Sequence, residues 1–190
     1  GELHNKRLFR MFFKLLKKNP DLLIYVKPKV KYYYQKFVDS SFDMKQYTNQ
    51  GRIVPFFGTE LNEKMPPAKF SANCDLVVSL GVSSAGAEAS FFGVKSFHYD
   101  NCELEQVNEF CGKGQNKVVF NKINNLTLAI EKEIISKDNR VNENKKYHGI
   151  LDPYQDGRCG ERTALIIDTI HENFMSLKNF DKTLYAVEEE

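Results

Sequence analysis

The segment Gly81–Ala89 has the composition of a loop that holds a phosphate group. It reads Gly-Val-Ser-Ser-Ala-Gly-Ala-Glu-Ala and follows the apolar run Asp75–Leu80, which predicts a buried strand. A helix that begins after such a strand directs unpaired amides and a partial positive charge toward the end of the strand. Small and hydroxylated residues let an anion approach closely, so the pattern predicts an anion site at the start of this helix.

The candidate phosphate ligands in this segment are Ser83, Ser84, Ala85 and Gly86. Glu88 follows one turn later, where its carboxylate could accept hydrogen bonds from ribose or sugar hydroxyls. A structural alternative is that a serine only caps the helix, while Gly86 and Ala87 only allow close packing on the sheet. The residue types favour phosphate binding over this alternative.

A second candidate cluster is the pair Lys27 and Lys29, which flank Pro28 after a predicted first strand, Leu22–Val26. Proline fixes the backbone where the two ammonium groups leave the sheet, so at least one could reach a diphosphate at the Ser83 helix. The alternative, equally weighted, is a solvated basic strand end.

A third cluster lies in the stretch His148–Arg162, which is rich in turn-forming residues from Asp152 to Gly160. Asp156 is followed by Arg158 and Arg162, which are spaced by one helical turn and could clamp a phosphate. Arg-Asp pairs that fix the final helix in place are the favoured alternative.

His98 and Asp100 close the strand Ser96–Tyr99, which follows the Ser-Ser helix, and would point toward the same cleft. A single strand histidine packs in the core more often than it acts as a base, so both are secondary candidates. The residues assign no catalytic base. No Asp-x-Asp pair or histidine cluster predicts a metal site.

The elements that must position these residues alternate between strand and helix, which predicts an α/β fold with a Rossmann-like parallel sheet covered by helices on both faces. Residues 1–18 include an amphipathic basic helix, interpreted as packed on the core with a solvated face; contact with an anionic membrane is the alternative. Residues 31–51 are predicted as a loop or irregular helix at the surface. A C-terminal helix over 161–180 is predicted to bury Ile166, Ile170 and Phe174.

Composition sets limits on the function. The chain of 190 residues suits one domain, and a net charge of +2 gives no global field for recruiting nucleic acid. Four scattered cysteines without a zinc spacing indicate reduced thiols in a cytoplasmic protein.

The strings Cys74–Ala89 and Gly93–Asp100 resemble the donor-binding half of GT-B glycosyltransferases, particularly bacterial capsule and surface-polysaccharide enzymes. The segment Asp152–Arg158 with Glu161 and Arg162 is similar to a segment of the same proteins. Where several members carry Lys-Pro-His-Pro, this chain has Lys-Pro-Lys-Val at 27–30. The resemblance spans about 22–170.

The resemblance implies that Ser83, Ser84 and Gly86 hold the phosphate of a nucleotide-sugar donor, with Glu88 toward the sugar or ribose. The donor is a substrate, and no cofactor is expected. The acceptor, a glycan or glycolipid, would bind an N-terminal domain that is missing from this chain or supplied in trans. A cytoplasmic location with peripheral contact to the inner face of the membrane would fit such an acceptor. The alternatives are a CDP-polyol phosphotransferase of the teichoic-acid type and a non-catalytic nucleotide- or partner-binding domain.

Overall fold

The computed structural model describes residues 2–28, 31–56, 67–100, 108–136 and 143–177. The chain folds into two compact units, Gly1–Leu151 and Asp152–Glu190. The single domain expected from the length of the chain stays a prediction.

Helices and short strands alternate through the first unit. In chain order they are α1 (Glu2–Lys18), β1 (Ile24–Val26), α2 (Lys31–Asp39), α3 (Phe42–Asn49), β2 (Ile53–Pro55), α4 (Pro67–Ser71), β3 (Leu76–Leu80), α5 (Ser84–Phe91), β4 (Lys95–Tyr99), α6 (Glu109–Gly114), β5 (Val119–Phe120), α7 (Ile123–Ser136), a 3-10 helix (Glu143–Tyr147) and α8 (His148–Leu151). The second unit contains α9 (Cys159–Leu177). This architecture confirms the predicted α/β class.

The strand pairs in the described part of the chain are parallel, and they form two small sheets. β1 pairs with β2, and β4 lies between β3 and β5. Side chains alternate across β4, so Phe97 and Tyr99 enter an apolar cluster under α1 and α7. Ser96 and His98 are also buried, on the opposite face, which α5 covers. Helices therefore cover both faces of the larger sheet.

Helix α1 is the element that joins the two sheets. Leu8, Met11 and Leu15 pack with β4, β5 and α7, whereas Leu16 packs with β1, β2, α2 and α3. Leu22 touches both clusters. The predicted core-facing role of this helix is therefore confirmed, with two buried faces in place of one.

The C-terminal end of α1 is fixed by Arg52, whose guanidinium donates to the carbonyl oxygens of Leu16, Asn19 and Leu22 at 2.9, 2.5 and 3.2 Å. The last carbonyls of a helix have no partners within the helix, and a cation there also complements the helix dipole. One side chain from the start of β2 thus holds the turn between α1 and β1.

The prediction of a loop or irregular helix over 31–51 is wrong, because two regular helices occupy this region. Ser41 caps α3 by accepting a hydrogen bond from the amide of Met44 at 3.3 Å. Tyr34 and Met44 then reach the core beneath α1. Their contacts are with residues distant in sequence, so local periodicity gave a weak signal.

The start of β4 is completed by a residue from the 3-10 helix. β5 reaches only His98 and Tyr99, which leaves the backbone of Ser96 without a strand partner on that side. Asn144 replaces it, because its side chain accepts from the Ser96 amide at 2.9 Å and donates to the Ser96 carbonyl at 2.8 Å. Asn144 lies 48 residues after Ser96, so no local sequence pattern indicates this buried contact.

The prediction that α9 buries Ile166 and Phe174 is wrong, since these side chains are 50% and 41% exposed, while Ile170 is half-buried. α9 is the one regular element in the described part of its unit. Residues 178–180 of the predicted helix lie outside the described residues. Within the described ranges, no helix combines the length and apolar character needed to cross a membrane.

Candidate functional site

The predicted anion loop lies where the parallel strands end. β3, β4 and β5 run in the same direction, so Gly81, Asp100 and Asn121 follow their carboxyl ends at one edge of the sheet. The Gly81 amide donates to the Tyr99 carbonyl at 2.8 Å, and a φ of 74° at Gly81 turns the chain out of β3 toward α5. Such edges are where ligands bind in open α/β sheets.

Ser83 caps α5. Its backbone is extended, and its hydroxyl oxygen accepts a hydrogen bond from the Gly86 amide at 3.3 Å. The structural alternative for Ser83 is therefore realised, and the Gly86 amide is already occupied. An anion at this turn would therefore have to bind amides other than that of Gly86.

Those donors are the amides of Ser84 and Ala85, the first two residues of α5. Within the described ranges neither amide has a hydrogen-bond acceptor. Ser84 is exposed and Ala85 half-buried, so solvent reaches this end of the helix. Both amides carry the partial positive charge of the helix terminus. The part of the predicted site that stays open for a phosphate is thus Ser84 and Ala85.

A buried hydrogen-bond network lies directly beneath the loop. The Ser79 hydroxyl is 2.8 Å from the Gly81 carbonyl oxygen and 2.8 Å from Nδ1 of His98. A hydroxyl has one proton, so donation to Gly81 assigns the other contact to donation from Nδ1–H of the imidazole. Side chains of two neighbouring strands thereby hold the first residue of the loop.

His98 is fully buried, and its ring lies perpendicular to that of Phe110, with 5.3 Å between centroids and 89° between planes. Burial lowers the pKa of His98 to about 4, and the nearby Gly81 backbone opposes this shift only in part. Its Nε2 atom is buried and has no hydrogen-bond partner among the described residues. The residue is neutral at physiological pH, and its position suits support of the loop better than proton transfer to a ligand.

Gly86 is the contact point between α5 and this network. A Cβ atom at residue 86 would lie 2.7 Å from Cε1 of His98 and 2.9 Å from Oγ of Ser79. These distances are shorter than side chains tolerate, so the helix can approach the sheet this closely only with glycine. Gly86 thus performs the close-packing role that the sequence offered as an alternative.

The remaining candidates of the first unit are dispersed. Asp100 is 1% exposed at the end of β4, and its amide donates to the Phe120 carbonyl at 2.9 Å. Glu88 is exposed on α5, one turn from Ser84 and on the same side of the helix. The Lys27 ammonium lies over the ring of Phe56, 5.9 Å from its centroid. Lys29 lies outside the described residues.

In the second unit the acidic and basic candidates bind one another. Asp156 accepts two hydrogen bonds from the Arg162 guanidinium, both at 2.9 Å, and a third from the Arg158 amide. These contacts lower the pKa of Asp156 to about 2. The Arg158 side chain binds Glu161, and the Arg162 guanidinium lies 4.0 Å from the ring centroid of Tyr154. The favoured structural pairing is present, and a phosphate clamp here stays a prediction.

Sequence reasoning missed the support of the site, namely Ser79, Ser90, Asn144 and His148. Ser90 of α5 donates to the Ala87 carbonyl at 2.7 Å, and its hydroxyl lies 3.2 Å from Nε2 of His148. The His148 ring in turn stacks on the ring of Phe91, with 4.2 Å between the ring centroids. The available signal was the alternation of polar residues at 96, 98 and 100 in a strand with apolar neighbours.

Comparisons of the chain with protein-family models, curated proteins and solved structures find no match. Among the described residues, no group of three or more His, Cys, Asp or Glu side chains is arranged to hold a metal ion.

Replacing Gly86 by alanine tests the contact with His98. Helix propensity alone would make G86A more stable by about 1 kcal/mol. The overlap with the buried His98 ring and the half-buried Ser79 hydroxyl should instead destabilise the protein by about 1–3 kcal/mol, measured by urea unfolding. In an H98A background the imidazole is gone, so G86A should be less destabilising there. Equal effects in both backgrounds would contradict the proposed packing.

The pKa of His98 predicts a specific loss of stability in acid. In the unfolded chain the imidazole takes up a proton with the ordinary pKa of 6.5, whereas in the folded chain its pKa is about 4. The contribution of His98 to the free energy of unfolding is therefore fully present above pH 6.5 and is lost as the pH falls to about 4. Between pH 7 and 4.5 this group should remove on the order of 2–3 kcal/mol. The free energy of unfolding of H98Q should depend less on pH than that of the wild type. Parallel stability curves for the two proteins would contradict a lowered pKa of His98.

Proposed function

We propose that this chain binds the phosphate group of a nucleotide-activated sugar at the start of α5 and acts as the donor-binding half of a glycosyltransferase. The observation that carries the proposal is the pair of open amides at Ser84 and Ala85, at the carboxyl edge of a parallel sheet. Two adjacent backbone donors at a helix N-terminus match the oxygens of one phosphate group.

The support beneath the loop favours an electrostatic role. Gly81 is fixed by Tyr99 and by Ser79, whose hydroxyl is held by His98, and Gly86 packs against the His98 ring. The donors are therefore held in place before a ligand arrives, so no reorganisation is needed when negative charge develops on a departing phosphate. In a sugar transfer, the nucleotide leaves as a phosphate anion, and these amides would stabilise it.

Neighbouring side chains have roles consistent with this donor. The Ser84 hydroxyl, exposed beside its own amide, would add a third hydrogen-bond donor to the phosphate. Glu88, on the same side of α5, would accept hydrogen bonds from ribose or sugar hydroxyls. Lys27 follows β1 with an exposed side chain and would contribute charge if a diphosphate extended toward it. The acceptor would be a surface polysaccharide or glycolipid, bound by a domain outside this unit.

Ser84 provides a sharp test because it is the first residue of α5. Proline is well accepted at this position, and the extended backbone of Ser83 (φ −111°, ψ 151°) suits a residue that precedes proline. S84P therefore removes one amide donor while preserving the helix. S84A is the matched control, because it removes the hydroxyl and keeps the amide.

Calorimetric titration of CDP, UDP and CMP should detect binding with a preference for one nucleotide. S84P should weaken that binding by roughly tenfold or more relative to S84A, since hydrogen bonds to charged groups are strong. The melting temperatures of the two variants should be similar. Equal nucleotide affinities of S84P and S84A would contradict phosphate binding at this loop. No binding of any nucleotide would favour a non-catalytic interaction domain.

A further inference from the structure

Among the side chains of α1 that the structure describes, those of residues 6–18, every exposed one is basic. Arg7, Arg10, Lys14 and Lys17 are all exposed and recur at three- and four-residue spacing, which places them in one row along the helix. The other faces of α1 are buried in the two apolar clusters. We call these four residues the cationic row; it extends about 15 Å along the helix.

The cationic row has no acidic counterpart. No Asp or Glu occurs between Glu2 and Asp21 in the sequence. Within the described ranges the side chains of the row make no ion pair, whereas Lys18, just beyond it, binds Glu131 of α7 at 2.7 Å. Four like charges held in a row repel one another, and this repulsion is relieved when an anionic surface approaches.

Two exposed apolar side chains lie on the outer face of the neighbouring helix, α7. α7 packs beside α1, and the Lys18–Glu131 pair marks where their outer faces meet. Leu128 and Ile135 lie one turn before and after Glu131 on the same face of α7, and they are 65% and 80% exposed. Isolated apolar side chains are common on surfaces, but here the two lie one turn to either side of Glu131, which binds the lysine that follows the row.

We propose that the outer face of α1 and α7 binds the surface of an anionic lipid bilayer. The cationic row would lie against the headgroups, and Leu128 and Ile135 would enter the boundary between headgroups and acyl chains. Charge complementarity alone would also suit a nucleic acid. The adjacent apolar pair favours lipid, because a phosphate backbone offers it no apolar contact.

Sedimentation with sucrose-loaded vesicles tests this surface in the full chain. Binding is expected to phosphatidylcholine vesicles that contain phosphatidylglycerol, and not to phosphatidylcholine alone, and it should weaken as salt is raised. The triple variant R10Q/K14Q/K17Q should lower the partition coefficient by at least about tenfold. The pair L128S/I135S should lower it severalfold, since both side chains are exposed in the folded protein.

The matched control is K117Q/K122Q/K145Q, which removes three exposed lysines outside α1 and gives the same net charge. It should bind vesicles nearly as well as the wild type. If both triple variants lost vesicle binding to the same extent, net charge alone would explain the binding and the proposal would be overturned. Failure to bind anionic vesicles, or equal binding to neutral ones, would also overturn it. Binding of homopolymeric RNA that only R10Q/K14Q/K17Q abolishes, without vesicle binding, would assign the row to nucleic acid instead.

Discussion

The contact between Gly86 and the imidazole of His98 is the constraint on which the candidate site depends. A side chain at residue 86 would overlap both His98 and Ser79, so glycine sets the distance between α5 and the sheet. The same hydroxyl donates to the Gly81 carbonyl at the other end of the loop, and the imidazole holds that hydroxyl in place. The loop is thus fixed at both ends by the buried imidazole of His98 and the half-buried hydroxyl of Ser79. Because the loop is fixed in this way, the open amides of Ser84 and Ala85 point in a defined direction.

This polar network is stable only because the opposite face of the larger sheet is apolar. Phe97 and Tyr99 of the central strand pack under α1 and α7, while Ser96 and His98 face the other way. Burying polar groups is unfavourable unless they are hydrogen-bonded, and Ser79 supplies a partner for Nδ1 of His98, whereas Asn144 binds the backbone of Ser96. α1 then links this sheet to the smaller one. Its third face is free of both cores and carries the cationic row.

Much of the fold could be predicted, because β3, α5 and β4 have strong local signals: an apolar run, a serine cap and a glycine stop. The site was located by the same signals, but its detailed roles were not. Whether Ser83 caps the helix or contacts a phosphate depends on where its hydroxyl points, and both roles require the same residue. The contact of Asn144 with Ser96 joins residues distant in sequence, so no local pattern reveals it. α2 and α3 were missed for a similar reason, since distant packing stabilises them.

The central claim is that the amides of Ser84 and Ala85 receive a phosphate, and backbone amide NMR measures this directly. Titrating inorganic pyrophosphate into the labelled protein should shift the resonances of Ser84 and Ala85 most, with saturation, while the amide of Gly86 changes less because Ser83 already holds it. The account would be contradicted if those two resonances stayed in place while the amides around Arg158 and Arg162 moved.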